Sequence, residues 1–263
     1  MSFAIRLGAG QDEPEGAKMT TTADDGDRAG TGGSTGPSRR RAGRPAQGIL
    51  SRRLIFETAL RLVDRGGAEA AGIRAVAKEL GVQPSALYNH VDGYPDLVAG
   101  MRELISDRIP LDMFDRSPWD EALVEWSGHY RDTFAAHPST VALLAVLPLA
   151  EESTTTLMYD GVIRALVRAG WPEERVLILL VALESFILGS ALDLGADEQM
   201  LDPGPREDVP VFTSVYRARA AMLAAKRQST ADASFEFGLR AMLTGFRAEF
   251  DALRRGRPEP DPA

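Results

Sequence analysis

Cysteine is absent from this chain of 263 residues, and this excludes disulfides, thiolate zinc sites and cysteine nucleophiles. No segment alternates apolar and polar residues with a period of two, so no strands are expected. The most apolar run, residues 176–192, contains Glu184 and is shorter than the roughly 20 apolar residues that span a bilayer. The N-terminal residues also lack the apolar run of about 7–15 residues that a signal peptide requires. We therefore expect an all-α protein of the cytoplasm that has no membrane partner.

Charge is unevenly distributed along the chain. The formal net charge is −8, and only three of the 30 basic residues are lysines. Residues 37–91 nevertheless carry ten basic and four acidic residues, whereas residues 92–263 carry 17 basic and 28 acidic residues. A basic segment on an acidic body is typical of a nucleic-acid-binding module joined to a second, differently charged domain.

The composition divides the chain into four predicted regions. Residues 1–45 are rich in Gly, Thr, Asp and Pro and are expected to be a disordered extension that ends in a basic arm. A DNA-binding domain over residues 46–94 follows, and then a longer helical domain over residues 95–257. Residues 258–263 form a predicted disordered tail. Helical spacing begins after Ser51, a plausible N-cap, and the first helix should stop at Gly66-Gly67.

The segment "KELGVQPSALYNHVDGYP", residues 78–95, predicts a helix-turn-helix. Gly81 suits the left-handed conformation that ends a helix, and Ala77 leaves room for the next helix to cross closely. Val76 and Leu87 supply a small core together with Ile55 of the preceding helix. The following helix, "QPSALYNHV", is then the recognition helix, because its outward side chains are short donors and acceptors that suit base edges and phosphates. The alternative is a polar helix that only faces solvent.

The stretch "GIRAVAKELGVQPSALYNHVDGYPDLV" resembles the N-terminal DNA-binding domain of the tetracycline-repressor (TetR) family over about 45 residues. The resemblance implies that Tyr88 and His90 dock against the phosphate backbone. It also implies that the groove is faced by Arg74, Gln83, Ser85 and Asn89. The family usually carries a lysine at the start of the fourth helix, where it contacts a phosphate. This chain has Tyr94 at that position, so the contact would be made without a positive charge. The resulting set of DNA-contacting residues is Arg74, Gln83, Pro84, Ser85, Tyr88, Asn89, His90 and Tyr94.

The basic arm lies immediately upstream, in "SRRRAGRPAQG". Arg41 and Arg44 are expected to reach the minor groove, as basic arms before helical DNA-binding domains can do. The alternative interpretation is a solubilising tail.

The C-terminal region resembles the effector-binding domain of the tetracycline-repressor type, whose last two long helices pair with their copies in a dimer. An apolar stripe over residues 235–253 looks too large to remain exposed on a single subunit. Small residues around Gly189 would allow close helix approach. The predicted dimer contacts are Leu188, Gly189, Leu192, Leu239, Met242, Leu243, Phe246 and Phe250.

The resemblance also implies a pocket for a small effector inside this domain, although aromatic residues at helical spacing are more often simple core. The candidate pocket residues are Trp119, Trp126, His129, Tyr130, Phe134, Leu143, Met158, Tyr159 and Phe186. An ungapped alignment puts Pro110 and Leu143 where magnesium–tetracycline repressors carry histidines, and only Asp193 matches their acid. We therefore expect a largely apolar effector, with no metal and no cofactor.

These features together predict a homodimeric, nucleoid-associated transcriptional repressor that an effector releases from palindromic double-stranded operator DNA. One alternative is an effector-independent DNA-binding activator or autoregulator. An enzyme is disfavoured, because the sequence has no nucleophile elbow, no metal-binding spacing and only three histidines.

Overall fold

Helices make up the regular structure of residues 50–144 and 153–256, the part of the chain that the computed structural model describes. No strand occurs in that part, as the all-α prediction requires. The helices are α1 (Arg52–Gly66), α2 (Ile73–Leu80), α3 (Pro84–Leu87), α4 (Tyr94–Ser106), α5 (Met113–Arg116), α6 (Trp119–Ala135), α7 (Pro138–Leu144), α8 (Thr154–Ala169), α9 (Glu173–Asp193), α10 (Pro210–Lys226) and α11 (Thr230–Gly256).

Both predicted ends of α1 are confirmed. The Ser51 hydroxyl accepts a hydrogen bond from the Leu54 N–H at 3.3 Å. At the other end, Gly67 has a φ of 79° and donates its N–H to the Val63 carbonyl at 2.8 Å. A side-chain acceptor at the start and a glycine at the end satisfy backbone groups that have no partner within the helix.

The recognition helix is shorter than the sequence predicted. Only Pro84–Leu87 is α-helical, and Tyr88, Asn89 and His90 form a turn. The Leu87 carbonyl accepts the N–H groups of both His90, at 2.8 Å, and Val91, at 3.0 Å. The chain then bends at Gly93, whose φ is 136°, a value that favours glycine.

The N-terminal helices enclose a small core. Ile55, Val76 and Leu87 are fully buried, as predicted. Gly100 on α4 lies against the ring of Phe56 on α1, so closely that a Cβ at this position would come within 2.4 Å of three ring atoms. The helices α1 and α4 therefore cross at a contact that only glycine allows. Because α4 packs against both α1 and α8, the domain division at residue 94 stays a prediction.

Helix α9 has one buried face and one exposed face. Leu179, Leu183 and Ile187 are buried against neighbouring helices, whereas Ile178 and Val181 are exposed. By length and composition this helix could cross a membrane. That is weak evidence, because core helices pass the same test, and Glu184 stands in the middle of the run.

The premise behind the five predicted dimer contacts on α11 is wrong. Leu239, Leu243 and Phe250 on α11 are buried within their own chain, together with Phe235. Met242 and Phe246 are half-buried against the same core. The ring of Phe235 stacks on Phe186 of α9 with a centroid distance of 5.7 Å. The stripe therefore needs no second copy to cover it, because α11 lies against α9 and α6 of the same subunit.

Candidate nucleic-acid interface and core polar cluster

The turn between α2 and α3 fixes the angle of the helix-turn-helix. Gly81 adopts the left-handed conformation, with φ 68° and ψ 30°. The Ala77 carbonyl accepts the Val82 N–H at 3.0 Å, and the Lys78 carbonyl accepts the Gly81 N–H at 3.2 Å. These bonds satisfy the last carbonyls of α2 and direct the chain into α3, as in a glycine-terminated helix.

Most of the predicted DNA-facing side chains are exposed on α3, on the turn that follows it and on the first turn of α2. Gln83, Ser85 and Asn89 are exposed, and Tyr88 is 59% exposed. Pro84 and His90 are half-buried, and Arg74 is exposed on the first turn of α2. The buried side chains of Leu87 and Val91 hold this segment on the core. The arrangement presents a tyrosine hydroxyl, two amides and a guanidinium, which are the groups that pair with base edges and phosphates.

Arg52 on α1 forms hydrogen bonds to the turn that follows α3 and to α4. Its guanidinium donates to the His90 carbonyl at 2.7 Å and to the Asp96 carboxylate at 2.8 Å. The other oxygen of Asp96 accepts the Asp92 N–H at 3.1 Å. Arg52 thus ties the end of the recognition turn to the start of α4. Sequence reasoning missed this residue, and its basic charge within residues 37–91 was the one available signal.

Tyr94 begins α4 and is 40% exposed. Partial burial, with a smaller effect from nearby Glu69, raises the pKa of its phenol. The hydroxyl therefore stays protonated near neutral pH and can donate a hydrogen bond to a phosphate. Arg41 and Arg44 lie outside the described residues.

A polar cluster lies in the core of the C-terminal helices. Tyr130 of α6 donates its hydroxyl to Oε1 of Glu184 on α9 at 2.5 Å, and Tyr159 of α8 donates to the same oxygen. Burial raises the pKa of both phenols, and the charge of Glu184 raises it further. Both phenols therefore remain protonated donors. Three helices thus meet at one carboxylate, which the sequence marked only as a break in an apolar run.

Several predicted pocket residues surround this cluster. The rings of Trp126 and Tyr130 are 5.0 Å apart between centroids, and those of Tyr130 and Phe134 are 4.8 Å apart. The indole Nε1 of Trp126 is buried and has no hydrogen-bond partner. Met158 is buried, and Leu143 is half-buried against the same core.

The other predicted pocket residues lie elsewhere. His129 is exposed, and its imidazole is 3.8 Å from the Glu125 carboxylate. Trp119 packs edge-on against Trp171 at 5.3 Å and contacts Phe250. Two open cavities flank this aromatic group, one of about 730 Å³ bordered by Trp171 and one of about 320 Å³ bordered by Trp119. The structure therefore does not bring Trp119 and His129 together with Tyr130.

A charged link joins the N-terminal helices to the C-terminal helices. The His137 imidazole lies 2.9 Å from the Asp64 carboxylate of α1 and 3.3 Å from the Arg108 guanidinium. His137 directly precedes α7, and Arg108 follows α4. This contact joins α1 to the segment that precedes α7 and to the segment that follows α4. Within the described residues, no group of three or more His, Asp or Glu could hold a metal ion.

Large apolar side chains are exposed on two of the C-terminal helices. On α9 these are Leu177, Ile178, Val181 and Leu192, and on α10 they are Val211, Phe212, Val215 and Met222. Gly189 on α9 is also exposed, and Leu188 on α9 is half-buried. Of the predicted dimer contacts, those on α9 therefore remain accessible to a second copy.

Comparison with known families matches most of the described chain. A model of tetracyclin repressor-like C-terminal domains matches residues 115–250. A model of bacterial regulatory proteins of the tetR family matches residues 55–92. Both describe transcriptional regulators, and this confirms the prediction that the chain is not an enzyme.

The most similar relatives include three regulators. An uncharacterized HTH-type transcriptional regulator from Mycobacterium tuberculosis, Rv0681, is 36% identical over 40% of this chain and 49% of its own length. The chain thus spans about half of that relative. The repressor DrrR1 of Streptomyces coeruleorubidus is 25% identical over 93% of this chain and 94% of its own. The tetracycline repressor protein class E of Escherichia coli is 24% identical over 75% and 90%.

Solved structures agree on the fold. A possible TetR family regulator from Streptomyces coelicolor has a TM-score of 0.58 and 27% identity, covering 75% of this chain and 99% of that one. ActR of the same species, in complex with (S)-DNPA, has a TM-score of 0.62 and 20% identity, covering 77% and 99%. With one family model spanning more than half of its length, and the helix-turn-helix matched by the other, the chain belongs to the TetR family of DNA-binding transcriptional regulators.

Proposed function

We propose that this regulator is a homodimeric repressor that binds a pseudo-palindromic operator in the cytoplasm and leaves it when a small effector binds. The observation that carries the proposal is the outward polar surface of α3 and its turn, held by buried Leu87 and by the Arg52 hydrogen bonds. Repression is supported by two relatives, of which one is a transcriptional repressor and the other a tetracycline repressor. Arg41 and Arg44 would add contacts in the minor groove.

Homodimerisation is supported by the large apolar side chains that are exposed on α9 and on α10. Leu177, Ile178 and Val181 are each more than half exposed, and apolar patches of this kind mark interaction surfaces. Two copies also supply two recognition elements, which a palindromic operator requires because its two half-sites lie about one helical turn apart. The proposed contacts are those on α9 rather than the buried side chains of α11.

Effector binding is supported by the cluster inside the C-terminal helices. The ActR structures with (S)-DNPA and with actinorhodin show that a protein of this fold binds small molecules. The proposed pocket is lined by Trp126, Tyr130, Phe134, Met158 and Tyr159. Tyr130 and Tyr159 meet at Glu184, and the effector is otherwise surrounded by apolar side chains.

The interface can be tested with DNA selected from a random pool by the full chain, followed by footprinting. We expect Arg74→Ala and Tyr88→Ala each to weaken binding to the selected sequence at least about tenfold, because each removes a groove or phosphate contact. Arg164→Ala, on the exposed side of α8, is the matched control. Unchanged melting temperature and oligomeric state would show that the fold is intact. If both variants keep wild-type affinity, the site assignment is wrong.

The alternative is a DNA-binding activator or autoregulator that needs no effector. A thermal-shift screen of small metabolites and drugs separates the two, because a ligand that binds the native state raises the melting temperature. A compound that raises it and also releases the selected DNA supports the effector-controlled repressor.

A further inference from the structure

Glu184 is a carboxylate placed where the chain is otherwise most apolar. It lies midway along α9, in the run "VLILLVALESFILGSAL", and is half-buried. A charged group in such surroundings is costly unless it is paired and hydrogen-bonded. Its partners, Tyr130 and Tyr159, both donate to Oε1. The second oxygen, Oε2, takes part in neither of these bonds.

The two tyrosines bring hydrogen bonds but no positive charge. Burial keeps both phenols protonated and neutral, because it raises the pKa of each. The charge of Arg102 on α4 lowers the pKa of Tyr159. Within the described residues, the hydrogen bonds that Glu184 accepts come from neutral donors, and a ligand with a cationic donor would compensate its charge more fully.

A second polar atom beside the cluster has no partner. Trp126 is fully buried, and its Nε1–H makes no hydrogen bond. Buried indole N–H groups usually find an acceptor, and each exception requires an explanation. The Trp126 ring lies 5.0 Å from that of Tyr130, so an acceptor on a ligand at the cluster could satisfy it.

We propose, building on the effector-binding function above, that the effector is an aromatic or polycyclic amine whose protonated nitrogen binds Glu184. The amine displaces a tyrosine hydroxyl from the carboxylate and forms an ion pair with it, in place of a hydrogen bond from a neutral phenol. The aromatic part packs against Trp126, Tyr130 and Phe134, and an acceptor on the molecule takes the Trp126 N–H. An effector that carries a carboxylate or sulfonate is excluded by repulsion from Glu184.

Three probes with one naphthalene ring test the charge requirement. They are 2-(2-naphthyl)ethylamine, its N-acetyl derivative and 3-(2-naphthyl)propionate, titrated into the full chain by calorimetry up to millimolar concentration. We expect the amine to bind about tenfold more tightly than either of the others, a difference of about 1.4 kcal/mol. Glu184→Gln should remove this preference by weakening only the amine, because glutamine still accepts from both tyrosines. Glu121→Gln, an exposed acid on α6, is the control and should preserve it.

The outcomes separate this inference from the proposed function. If the amine binds no better than its N-acetyl derivative, if none of the three binds, or if the preference survives in Glu184→Gln, the inference is wrong. Any neutral or acidic compound that releases the selected DNA equally from wild type and Glu184→Gln also overturns it, while the effector-controlled repressor stands. If instead a Glu184-dependent amine binds but no amine releases DNA, the site chemistry is right and the effector-controlled function fails.

Discussion

At the residue scale, Arg52 and Glu184 act by holding several segments together. Arg52 joins α1 to His90 and Asp96, which are 38 and 44 residues away in the sequence, and Glu184 joins three helices. The position of the recognition turn therefore depends on a residue outside the turn.

We predict that Arg52→Ala weakens binding to the selected DNA about tenfold, because it removes the bonds to the His90 carbonyl and to Asp96. Arg52→Lys should recover part of the loss, since an ammonium can keep one of the two bonds. Arg53→Ala, which removes an exposed pair with Glu57, is the control. Binding is measured by fluorescence anisotropy at several salt concentrations.

The salt dependence distinguishes positioning from direct contact. A positioning role leaves the slope of log K against log salt unchanged, whereas each lost phosphate contact reduces it by about 0.9. A reduced slope in Arg52→Ala would mean that Arg52 touches the DNA itself. Wild-type affinity in this variant would mean that the turn holds its shape without it.

At the element scale, the crossing of α1 and α4 is set by the absence of a side chain at Gly100. The Phe56 ring fills the space that a Cβ would need and is itself buried. Since α4 packs against both α1 and α8, this contact helps to fix the orientation of the helix-turn-helix relative to the C-terminal helices.

We predict that Gly100→Ala lowers the free energy of unfolding by about 1–3 kcal/mol, because the added methyl group overpacks the crossing. Gly128→Ala is the matched control in the middle of α6, where a Cβ meets nothing within 4 Å. It should raise stability by about 0.5–1 kcal/mol, as alanine is favoured over glycine within helices. Urea unfolding measures both variants, and equal midpoints would contradict the account.

The helices could be predicted from the sequence more readily than their partners. Caps and glycines are local signals, so Ser51, Gly67 and Gly81 marked their elements correctly. An apolar stripe shows which face of a helix is buried but not what buries it, so Leu243 and Phe250 were assigned to a second copy. The contacts of Arg52 and Glu184 join residues 25 or more positions apart along the chain, and no local pattern reports such pairs.

At the scale of the whole molecule, charge and apolar surface are divided between regions. Basic residues outnumber acidic residues in residues 37–91, which include the helix-turn-helix, whereas acidic residues outnumber basic residues in residues 92–263. Several exposed apolar side chains lie on α9 and α10. One region is therefore suited to DNA and the other to another copy of the chain.

We predict that Val181→Glu converts a dimer to a monomer, because it places a charge in the apolar contact. Sedimentation velocity should show half the wild-type mass, and affinity for the selected DNA should fall at least about tenfold, as one recognition element is lost. Leu157→Glu, at an exposed position of α8, should remain dimeric. A wild-type chain that sediments as a monomer at micromolar concentration would refute the proposed pairing.

The helix-turn-helix and the exposed residues of α9 are far apart in the sequence, so a mutation can damage one and leave the other intact. This separation has a genetic consequence. A chain with a damaged helix-turn-helix but an intact α9 would still pair with wild-type chains and disable them. Such alleles should be dominant negative when both are expressed in one cell. Adding Val181→Glu to the damaged allele should make it recessive.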